Sequence, residues 1–209
     1  MTRGGRPTAP EVSRRRIRLW PMPGTPGQNG PMQVGTPDPE SGWLSDDDLE
    51  FVRRRVPMLY VEAIPVRLDA AGAVEHLGLL LRANEDGVMT RAFVSGRVNY
   101  GESVRSALMR HLEKDLGPMA LPQLPPAIVP FTVAEYAPMP WGKLVDERQH
   151  AVALVFVVPV AGECDPRQDA LELSWLTPQE ALDPDLLDEL EGGRSRILRT
   201  AIGHLGGWP

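Results

Sequence analysis

The sequence predicts an α+β fold, a sandwich in which a mixed sheet carries helices on its faces. Three observations point there. Apolar patterns along the 209 residues fall in the order β-β-β-α-β-β-β-α-α. One run, "HAVALVFVVPV" (150–160), is apolar at nearly every position, which suits a central strand buried on both sides. The length and the 42% hydrophobic content are enough for one domain with a real core.

Residues 1–40 hold eight of the 22 prolines and show no apolar period, so they read as a Pro/Gly-rich basic tail, with the domain at 41–209. Trp20 and Trp43 are its large anchors. "LSDDDLEFVRRRV" starts with the N-cap candidate Ser45, has three acids in its first turn and ends in arginines. That order predicts a helix over about 46–55, stopped by Pro57. Strands are expected at 58–69 and 74–84, joined as a hairpin by "AAG", with Pro65 marking an edge or a bulge. A third strand covers 88–96. A helix over about 102–116 places Val104, Leu108, Leu112 and Leu116 on one stripe beside Ala107. Strands at 127–136, 150–160 and 171–176 follow. Thr177 and Pro178 open a short helix, and 195–205 is the last one.

The charge distribution excludes some functions. The first 18 residues carry six arginines against one glutamate, while the whole chain is at −6, so the body is acidic and does not read as a nucleic-acid-binding domain. No run approaches the ~18 apolar residues of a membrane span, and no apolar segment follows the early arginines, so a cytoplasmic location is expected. Cys164 is the single cysteine, which rules out an internal disulfide and a cysteine-built metal site.

The stretch that carries chemistry is "GRVNYGESVRSALMRHLEKDLG", residues 96–117. It resembles the Nudix box, G-x5-E-x7-R-E-U-x-E-E-x-G-U, where U is a bulky aliphatic. Gly96, Glu102, Arg110, Leu112 and Gly117 match, and Gly101 is the glycine that often precedes the first glutamate. His111 stands for the glutamate after the arginine, Lys114 and Asp115 for the adjacent glutamate pair, and Pro118 for the final aliphatic. Three strands before the box, two after it, and "LSWLTPQEAL" with Trp175 extend the likeness over about 57–205. The resemblance implies an α/β/α sandwich and hydrolysis of a nucleoside diphosphate linked to another group, using Mg²⁺ or Mn²⁺.

In that family the spacing has a chemical purpose. Positions i, i+3 and i+4 share a helix face, and three carboxylates there cage a divalent ion that the substrate phosphates complete. Here the same face carries His111, Lys114 and Asp115 and is expected to open to a cleft. Its formal charge is near zero instead of about −3, a large loss for a hard cation. By the resemblance, Asp115, Glu102 and His111 are the candidate ligands of a divalent cation, Mn²⁺ or Mg²⁺. Glu102 and Asp115 are also the candidate catalytic groups, with Glu147 of the 138–150 loop as a further base. The alternative role of Glu102 is to serve the helix start or to brace Arg110. Lys114 and Arg148 are candidate phosphate contacts. Trp141, or Tyr136, is a candidate platform for a base. The expected function is a divergent hydrolase cleaving a phosphoanhydride bond in a nucleoside diphosphate-linked substrate. The alternative is a weak or inactive Nudix-fold module that binds a nucleotide. The expected partner is a small nucleotide-like molecule, with a homodimer left open.

Overall fold

The computed structural model describes residues 44–84, 87–138, 144–166 and 170–205. The chain divides into units at 1–36 and 37–209, and everything below concerns the second. The tail reading of 1–40, together with Trp20, Trp43 and Trp141, lies outside the described residues.

Among the described residues the hydrophobic order of the sequence becomes a seven-stranded mixed sheet between two helical layers. Helix α1 (Asp46–Arg53) starts as its composition requires: the Ser45 side chain accepts from the Asp48 N–H at 3.2 Å. Strand β1 (Met58–Leu68) is the spine. It pairs antiparallel with β2 (Val74–Ala83) and parallel with β6 (Ala151–Pro159) from Met58↔Ala151 to Val66↔Pro159. Strand β5 (Thr132–Tyr136) lies antiparallel on β6, and β7 (Ala170–Leu176) antiparallel on β2.

The single strand expected at 88–96 is two: β3 (Met89–Ala92) on β2 and β4 (Val94–Arg97) on β1, divided at the buried Phe93. After the hairpin β1 and β2 diverge, so one stretch of chain serves both wings in turn. This also corrects the expectation for Pro65. It sits in an interior strand, between the β4-paired residues 60–63 and the β2-paired residues 66–68, where a residue without an N–H forfeits no ladder on that side. Strand β5 begins at Thr132, later than the predicted 127, just after Pro130. The short helix α3 (Pro184–Asp188) was not foreseen, although its signals are local: Asp183 caps it and Pro184 fills its first position. "TPQEAL" forms a 3-10 turn over Glu180–Leu182.

The sheet buries both faces. Helix α2 (Val104–Leu116) lays Ala107, Leu108, Leu112 and Leu116, each fully buried, on Val61, Ala63, Val94, Phe156 and Val158. On the other face α4 (Arg194–Leu205) sets Ile197, Leu198 and Ala201 against Ile64, Val66, Ala153 and Val155. Alternate residues of β6 supply both clusters, which is why that strand reads as apolar throughout. At about 1.5–3 kcal/mol per buried aliphatic side chain, the α2 stripe alone is a major part of what holds the box helix in place. No described helix is long and apolar enough to cross a membrane.

Candidate functional site

The box loop is built around one carboxylate. The Glu102 Oε1 accepts from Arg110 Nε at 2.8 Å. Its Oε2 accepts from Arg110 Nη2 at 2.7 Å and from the Asn99 N–H at 3.0 Å. Arg110 Nη2 also donates to the Arg97 carbonyl at 3.0 Å. These bonds, led by those from Arg110, hold the Glu102 carboxyl below its usual range. Glu102 therefore clamps the loop 97–102 onto α2. Helix capping falls to Ser103, whose hydroxyl accepts from the Ser106 N–H at 3.0 Å. At the far end Gly117 takes φ 85° as the C-cap.

Two turns into the helix, His111 is buried and its ring lies over Gly96. A Cβ at position 96 would fall inside the imidazole, so the glycine of the box makes room for this histidine. The His111 Nε2 is 3.1 Å from the Arg97 carbonyl, and burial pushes its pKa down. The ring is thus neutral, with Nε2–H donating. Its Nδ1 has no hydrogen-bond partner among the described residues.

This gives a pH prediction. Because the folded-state value is depressed, the unfolded chain takes up a proton that the folded chain refuses as pH falls below the ordinary histidine value of about 6.5. Stability linked to His111 is complete above that value and is lost as pH falls through the folded one. Urea denaturation of the wild type should show this loss below about pH 6.5, and His111→Gln should show less of it. Equal slopes would mean that His111 is not buried neutral.

Asp115 follows on the same face and is 1% exposed. Its Oδ2 lies 2.6 Å from Nη2 of Arg82, on β2, and its Oδ1 lies 3.9 Å from Lys114 Nζ. Arg82 stands two residues beyond Leu80, on the face of β2 that packs towards α2. The approach is an ion pair without hydrogen-bond alignment. Among the described residues neither Arg82 Nε nor Nη2 has a hydrogen-bond partner.

The face expected to open to a cleft is therefore largely closed: His111 and Asp115 are buried, and Lys114 keeps about a third of its side chain exposed. Its ionic groups are one carboxylate and two cations. The structure does not bring Glu102 to Asp115 as a shared ligand pair. Glu102 is engaged by Arg110, and Asp115 by Arg82. Among the described residues no group of three or more His, Cys, Asp or Glu side chains could hold a metal ion. A hard divalent cation needs several oxygen ligands, and the described residues of this face do not fit one.

Glu147 and Arg148 lie elsewhere. With Arg53, Arg54 and Gln149 they line a cleft of about 610 Å³ beside α1, and none of the box residues contributes to it. Arg148 is held on Asp146, at 3.1 Å from Nε to Oδ1. Tyr136 is 2% exposed and gives its hydroxyl to Glu62 at 2.8 Å, so it offers no free face for a base.

Two features escaped the sequence reading. Arg82 is one: nothing local marks an arginine on a strand as the partner of an aspartate 33 positions on, because only the docking of α2 on β2 joins them. The other is Glu62, 1% exposed on β1, which takes the Tyr136 hydroxyl and two bonds from Arg194, at 3.1 and 2.8 Å. A glutamate inside "YVEAIPV" was a visible signal that a buried partner must exist.

The family model described as a domain of unknown function, DUF4916, matches residues 39–207. A solved protein from Jonesia denitrificans DSM 20603, called a possible asymmetric diadenosine tetraphosphate hydrolase, is 54% identical. That match covers 74% of this chain and 98% of that one, with a TM-score of 0.71. The Nudix domain of Shewanella oneidensis NrtR, solved with ADP ribose, is 15% identical over 72% of this chain and 90% of that one, at TM-score 0.53. A C. elegans Ap4A hydrolase is 14% identical over 72% and 99%, at TM-score 0.51. The last two show a shared fold. No curated protein matches the chain.

Proposed function

We propose that this chain, which belongs to the DUF4916 family and to the Nudix superfamily, binds a nucleotide-like phosphate compound at the box face of α2 without requiring a divalent ion. The observation that carries the reading is the composition of that face. Where the superfamily pattern puts three carboxylates, this chain has a neutral buried His111, Lys114, and an Asp115 already neutralised by Arg82. A face with two cations and one satisfied carboxylate disfavours a metal ion, and the exposed part of Lys114 is what attracts phosphate oxygens. Lys114 acts as a point charge for a phosphate. The Glu102–Arg110 clamp keeps the loop before it in shape. The name of the 54%-identical relative, a possible diadenosine tetraphosphate hydrolase, supports a ligand in which nucleosides are joined through phosphates, and ADP ribose is a second probe of that kind.

The name of the 54%-identical relative favours a second reading, hydrolysis of a dinucleoside polyphosphate. Calorimetric titration with ADP ribose and with diadenosine tetraphosphate separates the two. Binding in the presence of a chelator, weakened about tenfold or more by Lys114→Ala, with no phosphate released, supports the binding module. Loss of about 1.4 kcal/mol or more corresponds to that tenfold change. Release of nucleotide products with manganese, abolished by Asp115→Asn, would replace it with the hydrolase.

A further inference from the structure

We infer that Arg82 is the built-in cation of the box face: its guanidinium occupies the partner position on Asp115 and makes the chain refuse divalent metals. This goes beyond the choice of ligand, because it assigns the refusal to one residue that lies outside the box. Two observations and one property of the arginine side chain carry it. Asp115 is the only carboxylate on its face of α2 and is 1% exposed, so its charge must be matched from within the protein. The match is Arg82 Nη2 at 2.6 Å, much closer than Lys114 Nζ at 3.9 Å. An arginine stays charged at every accessible pH, so this cation cannot be titrated away or removed by a chelator.

The Arg82 Nε and Nη2 have no hydrogen-bond partner among the described residues, although both are buried. With Nη2 on Asp115 and both atoms buried, the guanidinium balances charge inside the fold. The fold therefore replaces a dissociable ion with a side chain. One consequence follows for the box itself. Restoring carboxylates on α2 alone does not rebuild a metal site, since Arg82 still holds Asp115.

The test uses the full chain and manganese alone, read by electron paramagnetic resonance, with thermal melts to check folding. Wild type and Lys114→Glu should bind manganese weakly. Lys114→Glu combined with Arg82→Met should bind it at least about tenfold more tightly than Lys114→Glu alone, because one positive charge beside the ligands has gone. Combining Lys114→Glu with Arg82→Gln serves if the methionine variant does not fold. Lys114→Glu with Arg82→Lys, which keeps the charge, should stay as weak as Lys114→Glu. The inference is overturned if Lys114→Glu binds as tightly as the Arg82→Met or Arg82→Gln combination. It is also overturned if the lysine version gains as much as these, or if wild type binds manganese and Asp115→Asn removes it. None of these readouts involves nucleotide, so a failure here is separable from a failure to bind ADP ribose in chelator.

Discussion

Arg194→Met is expected to cost about 3–5 kcal/mol of folding stability, because it strips the counter-charge from a glutamate at the centre of the sheet. Glu62 is 1% exposed and stands on β1 among the aliphatic residues that meet α4. It is tolerated there because three donors converge on it: the Arg194 Nε and Nη2 at 3.1 and 2.8 Å, and the Tyr136 hydroxyl at 2.8 Å. Burial, with the Glu62 charge beside it, raises the Tyr136 phenol well above its ordinary value, so it remains a donor. The guanidinium also lies 4.8 Å from the centre of the Tyr136 ring. Since Arg194 opens α4, the pair ties that helix to the spine of the sheet. Urea denaturation gives the figure. Adding Glu62→Gln to Arg194→Met should recover part of the loss, since the stranded charge is gone. A single-variant cost below about 1 kcal/mol would mean that Glu62 is not held as a buried anion.

Gly96→Ala carries the second large effect. The new Cβ would enter the space of the His111 imidazole, and Gly96 is paired with Val61 in the ladder between β4 and β1. Either the ring swings away from the Arg97 carbonyl or β4 shifts in its register. Overpacking of this kind costs about 1–3 kcal/mol, and the upper end is expected because the backbone on both sides is fixed. His111→Ala should relieve most of that cost in the double variant, a coupling that denaturation measures directly. If the two substitutions are additive, the histidine ring is not what requires the glycine.

Periodicity made most of the fold readable, since a helix stripe and an apolar central strand are one-dimensional records of burial. Leu108, Leu112 and Leu116 are buried as their spacing foretold, and β6 shares its side chains between both cores. The splitting of one expected strand at Phe93 was not readable, because it depends on how far β1 and β2 diverge. The site was half legible. The box matches drew attention to the right helix, and the charge deficit on its face was countable from His111, Lys114 and Asp115. Sequence spacing cannot show that an exposed-looking triplet is mostly buried, nor that the missing positive charge comes from Arg82 on a strand. It also gave no means of separating the loop of Glu147 and Arg148 from the box, which the structure sets in a different cleft. Glu102 was open to two uses, and its three hydrogen bonds go to the loop and Arg110.

On the reading proposed above, the box face of α2 works with protein cations in place of a metal ion. The most direct measurement is a calorimetric titration of the full chain with ADP ribose, run once with a chelator in excess and once with manganese. Saturable binding of equal affinity is expected in both, with no nucleotide cleaved. Binding that appears only with manganese, or cleavage that starts when manganese is added, would contradict that reading.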